Sequence, residues 1–346
     1  MTTKNTDAIQ NFLIEQIAAD DRNVVRHTQD KFGVSRQAVN RHLRNMIAQG
    51  SLTATGYTRQ RSYHLALLTS RQFQFKISPD LHEDQVWRDH VRPLLDNVPD
   101  NVLRICNYGF TEMLNNAIDH SEGTTVLIIV EQTAAAVTLT ITDNGIGIFR
   151  KIQRALGLED ERYTLLELTK GKLTTDPTLH TGQGIFFTSR SFDKFSIMSG
   201  ALFFSHTGQG HGQDWLLEDQ QAPLNGTAVM MRISVVSTRQ LREVFDRYTA
   251  EADEYGFSRT IVPVTLARFG DENLISRSQA KRLLARFERF QEVLLDFESV
   301  EFIGQAFADE VFRVFHNRHP EVNLTWMNTN PSVESTIIGS RAAPAS

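Results

Sequence analysis

Between Glu112 and His120 the chain reads Glu-Met-Leu-Asn-Asn-Ala-Ile-Asp-His. This stretch limits what surrounds it more than any other. It reads as a helix, where residues four apart share a face, so Glu112 and Asn116 project together. A carboxylate beside a carboxamide suits a water-activating base next to an oxygen ligand for a hard metal. Downstream, the alternation over 137–141 reads as a strand that runs into Asp143-Asn-Gly-Ile-Gly147. A second glycine turn follows, Thr181-Gly-Gln-Gly184, with a Gly226-Thr227 strand start behind it. Singly, each piece is an ordinary turn or surface helix. Together, in this order, they constrain the chain.

The 346 residues suffice for two or three domains, each with its own core. Net charge is −5, which by itself argues for no particular partner. Its distribution says more. The first 70 residues hold nine Lys and Arg against five Asp and Glu, a surplus of four, so the rest of the chain carries −9. A basic head on an acidic body points to a polyanion met only by the head. Cys106 is the single cysteine, which excludes an intrachain disulfide and a cysteine-based metal site. No apolar signal core opens the chain, and the aliphatic run 126–130 is strand-sized, so a cytoplasmic protein without membrane partners is expected.

The head reads as helix, helix, turn, helix, hairpin. Ile9, Phe12, Leu13 and Ile17 keep helical spacing, and a second pattern covers 24–32. Gly33-Val34-Ser35 supplies a turn and an N-cap before a helix over 36–48. Its expected buried stripe is Ala38, Val39, Leu43 and Ile47. Residues 52–67 alternate around Gly56-Tyr57 as a hairpin does. This is the order of a winged helix-turn-helix, and Phe32-Gly-Val-Ser-Arg-Gln-Ala-Val-Asn-Arg-His-Leu resembles the core of bacterial helix-turn-helix regulators. Ser35, Arg36, Gln37, Asn40, Arg41 and Arg44 fall on the outer face of the third helix, among them the residue types that read guanine and adenine edges. Arg59 and Arg61 on the wing suit phosphate or a minor groove. The expected partner is DNA; a winged helix kept for protein contact is the alternative.

Beyond the head, Phe73 and Phe75 alternate as in a strand, 81–95 reads as a helix, and Pro99-Asp100 starts the helix carrying Glu112. A connecting helix is expected over 239–250. The C-terminal part reads as an α/β unit: strand 258–266, helix 276–290 capped by Ser276, strand 293–297, helix 305–316 and strand 322–326. The expected division is 1–70 for the winged helix, 71–238 for the middle domain, 239–255 for the connector, 256–340 for the C-terminal domain, and a disordered tail over 341–346.

The middle region, over roughly residues 80–237, resembles the GHKL superfamily of ATP-binding domains, which includes gyrase, heat-shock chaperones, histidine kinases and mismatch-repair proteins. The motifs fall in family order. The resemblance implies ATP and Mg²⁺, with Asn116 as magnesium ligand and Glu112 as base. It also implies Asp143, Gly145 and Gly147 around adenine, Gly182 and Gly184 at the phosphates, and Thr227 closing the adenine pocket. The chemistry agrees. A buried carboxylate accepts from the adenine amine, and glycines let the backbone approach the base. A glycine turn before the apparent helix 185–191 offers amides and a positive helix end to phosphate. The resemblance also implies that residues 149–180 form the nucleotide lid. Within it Lys170 and Lys172 are candidates for a γ-phosphate, or else solvated surface lysines. His120 and Arg190 are open in the same way.

In the C-terminal part, Val293-Leu-Leu-Asp-Phe-Glu-Ser-Val-Glu-Phe-Ile303 looks like a STAS domain. Ser276-Arg-Ser-Gln-Ala-Lys-Arg-Leu-Leu and Gly304-Gln-Ala-Phe-Ala-Asp-Glu310 resemble a STAS-like family of unknown function fused to such ATPases. The fold class is therefore α+β multidomain: winged helix-turn-helix, GHKL α/β sandwich and STAS-like α/β domain. Where STAS substrates of anti-sigma kinases carry a serine, Gln305 and Ala306 stand, and Ser278 and Ser299 lie elsewhere. Arg277, Arg282, Asp309 and Glu310 read as exposed, paired charges on helices. His90 lies too close to Asn116 for a sensor-kinase phosphoacceptor hairpin. The expectation is a Mg²⁺-dependent, ATP-hydrolysing DNA-binding regulator, homodimeric, with a possible protein partner at the STAS-like domain. The alternatives are a protein-serine kinase acting on a separate STAS or sigma-factor partner, and an ATP-gated scaffold without catalysis.

Overall fold

Gly33 and Ser35 punctuate the N-terminal helices as their chemistry dictates. Gly33 takes the left-handed conformation, φ 63°, and closes the Val24–Phe32 helix by donating to the Gln29 carbonyl. Ser35 caps the Arg36–Ala48 helix by accepting the Ala38 N–H at 3.3 Å. The computed structural model describes residues 3–57, 61–95, 97–173, 182–208, 213–218, 224–249, 257–267 and 273–342. The chain divides into two compact units. One comprises Met1–Asp143, Phe192–Lys194 and Ala228–Thr238; the other Asn144–Ser191, Phe195–Thr227 and Arg239–Ser346.

In the first unit, the helices Thr3–Ala18, Val24–Phe32 and Arg36–Ala48 lead into an antiparallel hairpin, Leu52–Thr55 with Ser62–Leu65. Ile9, Leu13, Ile17, Val24, Val39, Leu43, Met46 and Leu52 form its core. The expected stripe of the third helix shifts. Val39 and Leu43 are buried, but Ala38 and Ile47 are only half-buried, and His42 and Met46 take their places. Counting from Val39, positions three, four and seven onward are His42, Leu43 and Met46, the true helical stripe.

Strand Thr69–Lys76 pairs antiparallel with Thr125–Gln132, which pairs antiparallel with Ala136–Asp143. The Ala228–Ser234 part of strand Leu224–Ser234 is the next neighbour. Val137, Leu139, Ile141 and Asp143 all lie on the buried face of their strand. The expected helix 81–95 is irregular: a single α turn Glu83–Val86, a π turn Trp87–Val91 and a 3-10 turn Arg92–Leu94. Pro93 lacks the N–H that a continuing helix needs. The long helix Asp100–His120 follows, and its Gly109 leaves room for the Phe192 ring, 2.4 Å from where a Cβ would stand.

In the second unit, helices Ile148–Leu156, Tyr163–Lys170 and Gly184–Ser191 precede strands Lys194–Gly200, Leu202–Thr207 and Gln213–Glu218. These strands are neighbours in that order. The C-terminal part holds a parallel sheet of Arg259–Pro263, Glu292–Asp296 and Asn323–Met327. Helix Arg277–Leu284 starts in a capping box between Ser276 and Gln279.

Several expected lengths need correction. The connecting helix spans only Leu241–Asp246, and the strand from 258 ends at Pro263 in a 3-10 turn. Helix 276–290 stops at Leu284 because Arg286 takes a left-handed φ of 69°. The helix over 305–316 is α to Asp309, π over Glu310–Phe315 and α over His316–Arg318. The last described helix spans Pro331–Ala342, so it includes the first two residues of the expected 341–346 tail; residues 343–346 lie outside the described residues. Val333 and Ile337, four apart, are buried and anchor it. Among the described residues, no helix is long and apolar enough to cross a membrane.

Candidate functional site

In the first unit the Asp100–His120 helix buries Cys106, Phe110, Met113 and Ala117. That leaves Tyr108, Glu112 and Asn116, one helical turn apart in succession, half-buried along one row. Tyr108 was not expected. Burial first, then the Glu112 carboxylate, hold its phenol far above its usual range. The strand beyond delivers Asp143, only 7% exposed, in register with Leu139 and Ile141. A carboxylate standing where alternation calls for an apolar side chain is expensive to bury without a purpose.

The second unit begins one residue later and contains the adjoining turn. Gly147 has φ 89°, and a Cβ there would lie 2.6 Å from the Ser199 Oγ. Ser199 in turn donates to the Gly226 carbonyl at 2.9 Å. Thr227, 7% exposed, accepts the Ile148 N–H on its Oγ1 at 3.0 Å. The fold thus brings Gly147, Ser199, Gly226 and Thr227 together. Gly145 lies half-buried in the same turn. Ser199 escaped the sequence reading because a lone serine in a strand carries no spacing signal.

The glycine turn is partly described, since Thr181 lies outside the described residues. Gly182 has φ 68°, and its carbonyl accepts the Leu173 N–H at 3.0 Å. Gly184 opens the Gly184–Ser191 helix. Arg190, left open above, stacks its guanidinium 3.8 Å from the Phe186 ring centroid and donates to the Thr169 carbonyl at 3.2 Å.

The two lysines named as γ-phosphate candidates are both engaged by the chain itself. Lys170 is 0% exposed, its ammonium 2.6 Å from Glu167, 2.8 Å from the Ala285 carbonyl and 3.1 Å from the Arg282 carbonyl. All three of its protons have acceptors, so it offers none to a phosphate. Lys172 donates to the Arg289 carbonyl at 2.7 Å, with its ammonium 4.8 Å from the Phe290 ring centroid. Both are drawn to the C-terminal part of the chain.

Magnesium requires oxygen donors and keeps several waters. Among the described residues no group of three or more His, Cys, Asp or Glu could hold a metal ion by itself. The half-buried carboxamide of Asn116 fits a cation brought with phosphate, which needs one protein oxygen.

On the third N-terminal helix Ser35, Arg36, Gln37, Arg41 and Arg44 are exposed, while Asn40 is half-buried and its carbonyl accepts from Arg44 Nε at 3.3 Å. Arg61 is exposed, its guanidinium 5.6 Å from the Tyr63 ring centroid; Arg59 lies outside the described residues. His90 packs between Phe73 and Phe75, with ring centroids 5.2 and 5.3 Å away. The C-terminal charges are not all exposed. Glu310 is buried, Arg282 stacks 4.7 Å from the Tyr163 ring centroid, and Asp309 pairs with Arg313 at 2.5 Å.

Residues 106–213 match the family model of histidine kinase-, DNA gyrase B- and HSP90-like ATPases, and residues 279–334 match the STAS-like domain of unknown function DUF4325. The first span includes Glu112, Asn116, Asp143, Gly147 and Gly184 but not Thr227; neither span reaches the N-terminal helices. A search of curated proteins finds no match to this chain. The chain therefore carries an ATPase domain of the GHKL superfamily and, after it, a STAS-like domain.

Proposed function

We propose that the protein binds ATP with Mg²⁺ and hydrolyses it, and that nucleotide state governs DNA binding by a winged helix in residues 1–70. The ATPase family match supports ATP-binding and ATPase or kinase-type activity. The observation that carries the residue assignment is Asp143, a carboxylate buried among Leu139 and Ile141 and followed directly by the Gly147 cradle. Asp143 accepts from the adenine amine, and Thr227 completes the edge. Gly182 and Gly184 present backbone amides to the phosphates. Asn116 would offer one oxygen to a magnesium ion, which when bound would neutralise phosphate charge. Glu112 takes the proton from the attacking water.

For DNA, the helix face carrying Ser35, Arg36, Gln37, Asn40, Arg41 and Arg44 enters the major groove, while Arg59 and Arg61 on the wing hold phosphate or enter a minor groove. The charge surplus of the head supports this, and the protein would act as a cytoplasmic homodimer on paired half-sites. The test has two arms. Calorimetric titration of the full chain with Mg-ATP should show binding that Asp143→Asn abolishes. Duplex binding with and without a non-hydrolysable ATP analogue should then differ in affinity or salt slope, and identical curves would sink the coupling.

The family match, which covers kinase-type as well as ATPase activity, also supports a protein-serine kinase acting in trans as second reading. The STAS-like helix begins Gln305-Ala306, without a hydroxyl, so any serine acceptor at that place must belong to another protein. Radiolabelled ATP with cell extract separates the two, label on another protein marking the kinase and free phosphate alone the ATPase.

A further inference from the structure

A lid over a nucleotide should keep one wet face. The Tyr163–Lys170 helix does not: Thr164 through Lys170 are all buried, including Glu167, Thr169 and Lys170. Buried charges persist only when paired, and here the pairing comes from the STAS-like segment. Arg286 donates to Glu167 at 2.9 Å and to the Lys172 carbonyl. Glu167 also holds Lys170, whose remaining protons go to the Arg282 and Ala285 carbonyls. The backbone is gripped as well. Thr260 donates its hydroxyl to the Lys170 carbonyl at 2.8 Å, and Gly171 is so close to Phe257 that a Cβ would stand 2.6 Å from its ring.

What this grip leads to is the next residue. Leu173, beside Lys172, donates its N–H to the carbonyl of Gly182, the glycine assigned to the phosphates. The far side of that turn is held too, because Phe186 and Phe187 of the following helix lie 4.6 and 5.1 Å from the Phe257 ring.

We infer that the STAS-like domain is a working part of the phosphate side of the nucleotide site, with Glu167, Lys170 and Arg286 as positioning residues that set Gly182 through Leu173. This rests on the ATP reading above and adds a regulator to it: whatever moves the 277–289 segment changes phosphate binding, while adenine binding at Thr227, which is held to Ile148, stays as it is. A ligand or protein docking on the STAS-like domain thereby tunes ATP affinity without touching ATP.

The test compares ATP with adenosine, both titrated into the full-length chain with Mg²⁺ present. Arg286→Met should weaken ATP by about tenfold, a coupling of about 1.4 kcal/mol, and leave adenosine as in wild type. Thr260→Val, nearly isosteric and remote from phosphate, should do the same to a smaller degree and keeps the test open if Arg286→Met does not fold. Hydrogen exchange at the Leu173 amide should quicken in both variants. Equal loss of ATP and adenosine would show general destabilisation and overturn the inference. So would unchanged ATP binding in a folded Arg286→Met chain. A wild-type chain that binds adenosine no better than ATP binds, with neither detectable, overturns the ATP reading and this inference with it.

Discussion

Thr227 accepts the Ile148 backbone N–H on its hydroxyl at 3.0 Å, although the two residues stand 79 positions apart. This bond ties the turn after Asp143 to the Leu224–Ser234 strand and gives Thr227 a duty besides any contact with adenine. Thr227→Val leaves a half-buried N–H without its acceptor, which costs about 1–3 kcal/mol. Thr227→Ser keeps the acceptor. Chemical denaturation and ATP titration of both variants should show the valine chain weaker in each and the serine chain close to wild type in each.

Gly147 is the tightest point of the same turn. With φ at 89° and ψ at 135° it uses a backbone region reserved for glycine, so Gly147→Ala should lose about 1–3 kcal/mol from backbone strain alone. The added methyl also meets the Ser199 hydroxyl. A double-mutant cycle with Ser199→Ala measures that part: the alanine should be better tolerated when the hydroxyl is gone. Strict additivity would mean that Ser199 yields freely and is not a wall of the cradle.

Glu112→Gln separates binding from chemistry. The amide keeps the size of the side chain but takes no proton, so turnover should fall by about 10²–10⁴ while ATP affinity holds. Phosphate release under saturating ATP is the measurement. Undiminished turnover would move the base elsewhere, whereas a wild-type chain that binds ATP but releases no phosphate would support the ATP-gated scaffold.

His42 carries a pH dependence of known sign. It is 4% exposed, and neither ring nitrogen has a hydrogen-bond partner. Burial, then the Arg41 charge, hold its pKa below the ordinary 6.5. Between the lowered folded value and 6.5 the unfolded chain binds more protons than the folded one. Stability contributed by the neutral ring is therefore intact above 6.5 and drains as pH falls below it, levelling off under the folded value. His42→Leu should remove this slope and stabilise the N-terminal helices by about 1–3 kcal/mol, since a buried unpaired polar group is exchanged for a methyl-bearing one. Urea midpoints across mildly acidic pH check both the slope and the gain. A slope that survives His42→Leu belongs to another group.

Much of the architecture was legible in the residues alone, because local rules produce it. Gly33 and Ser35 punctuate helices through their own backbone and side chain, and the alternation ending in Asp143 marks a strand with a carboxylate on its inner face. The order of Glu112, Asn116, Asp143, Gly147 and Gly184 likewise carries the ATPase resemblance unaided. Tertiary structure decided the fate of the charged residues. Lys170 and Lys172 look like phosphate ligands in sequence, yet their partners, Ala285 and Arg289, lie more than 110 positions downstream, beyond the reach of any periodicity. His42, Ser199 and Arg286 were silent for the same reason, since a buried polar group is defined by what the fold places against it. Glu112 and Asn116 share a helix face by local geometry. Gly182 owes its setting to Leu173, and Leu173 to a neighbouring segment held by residues that only folding brings near.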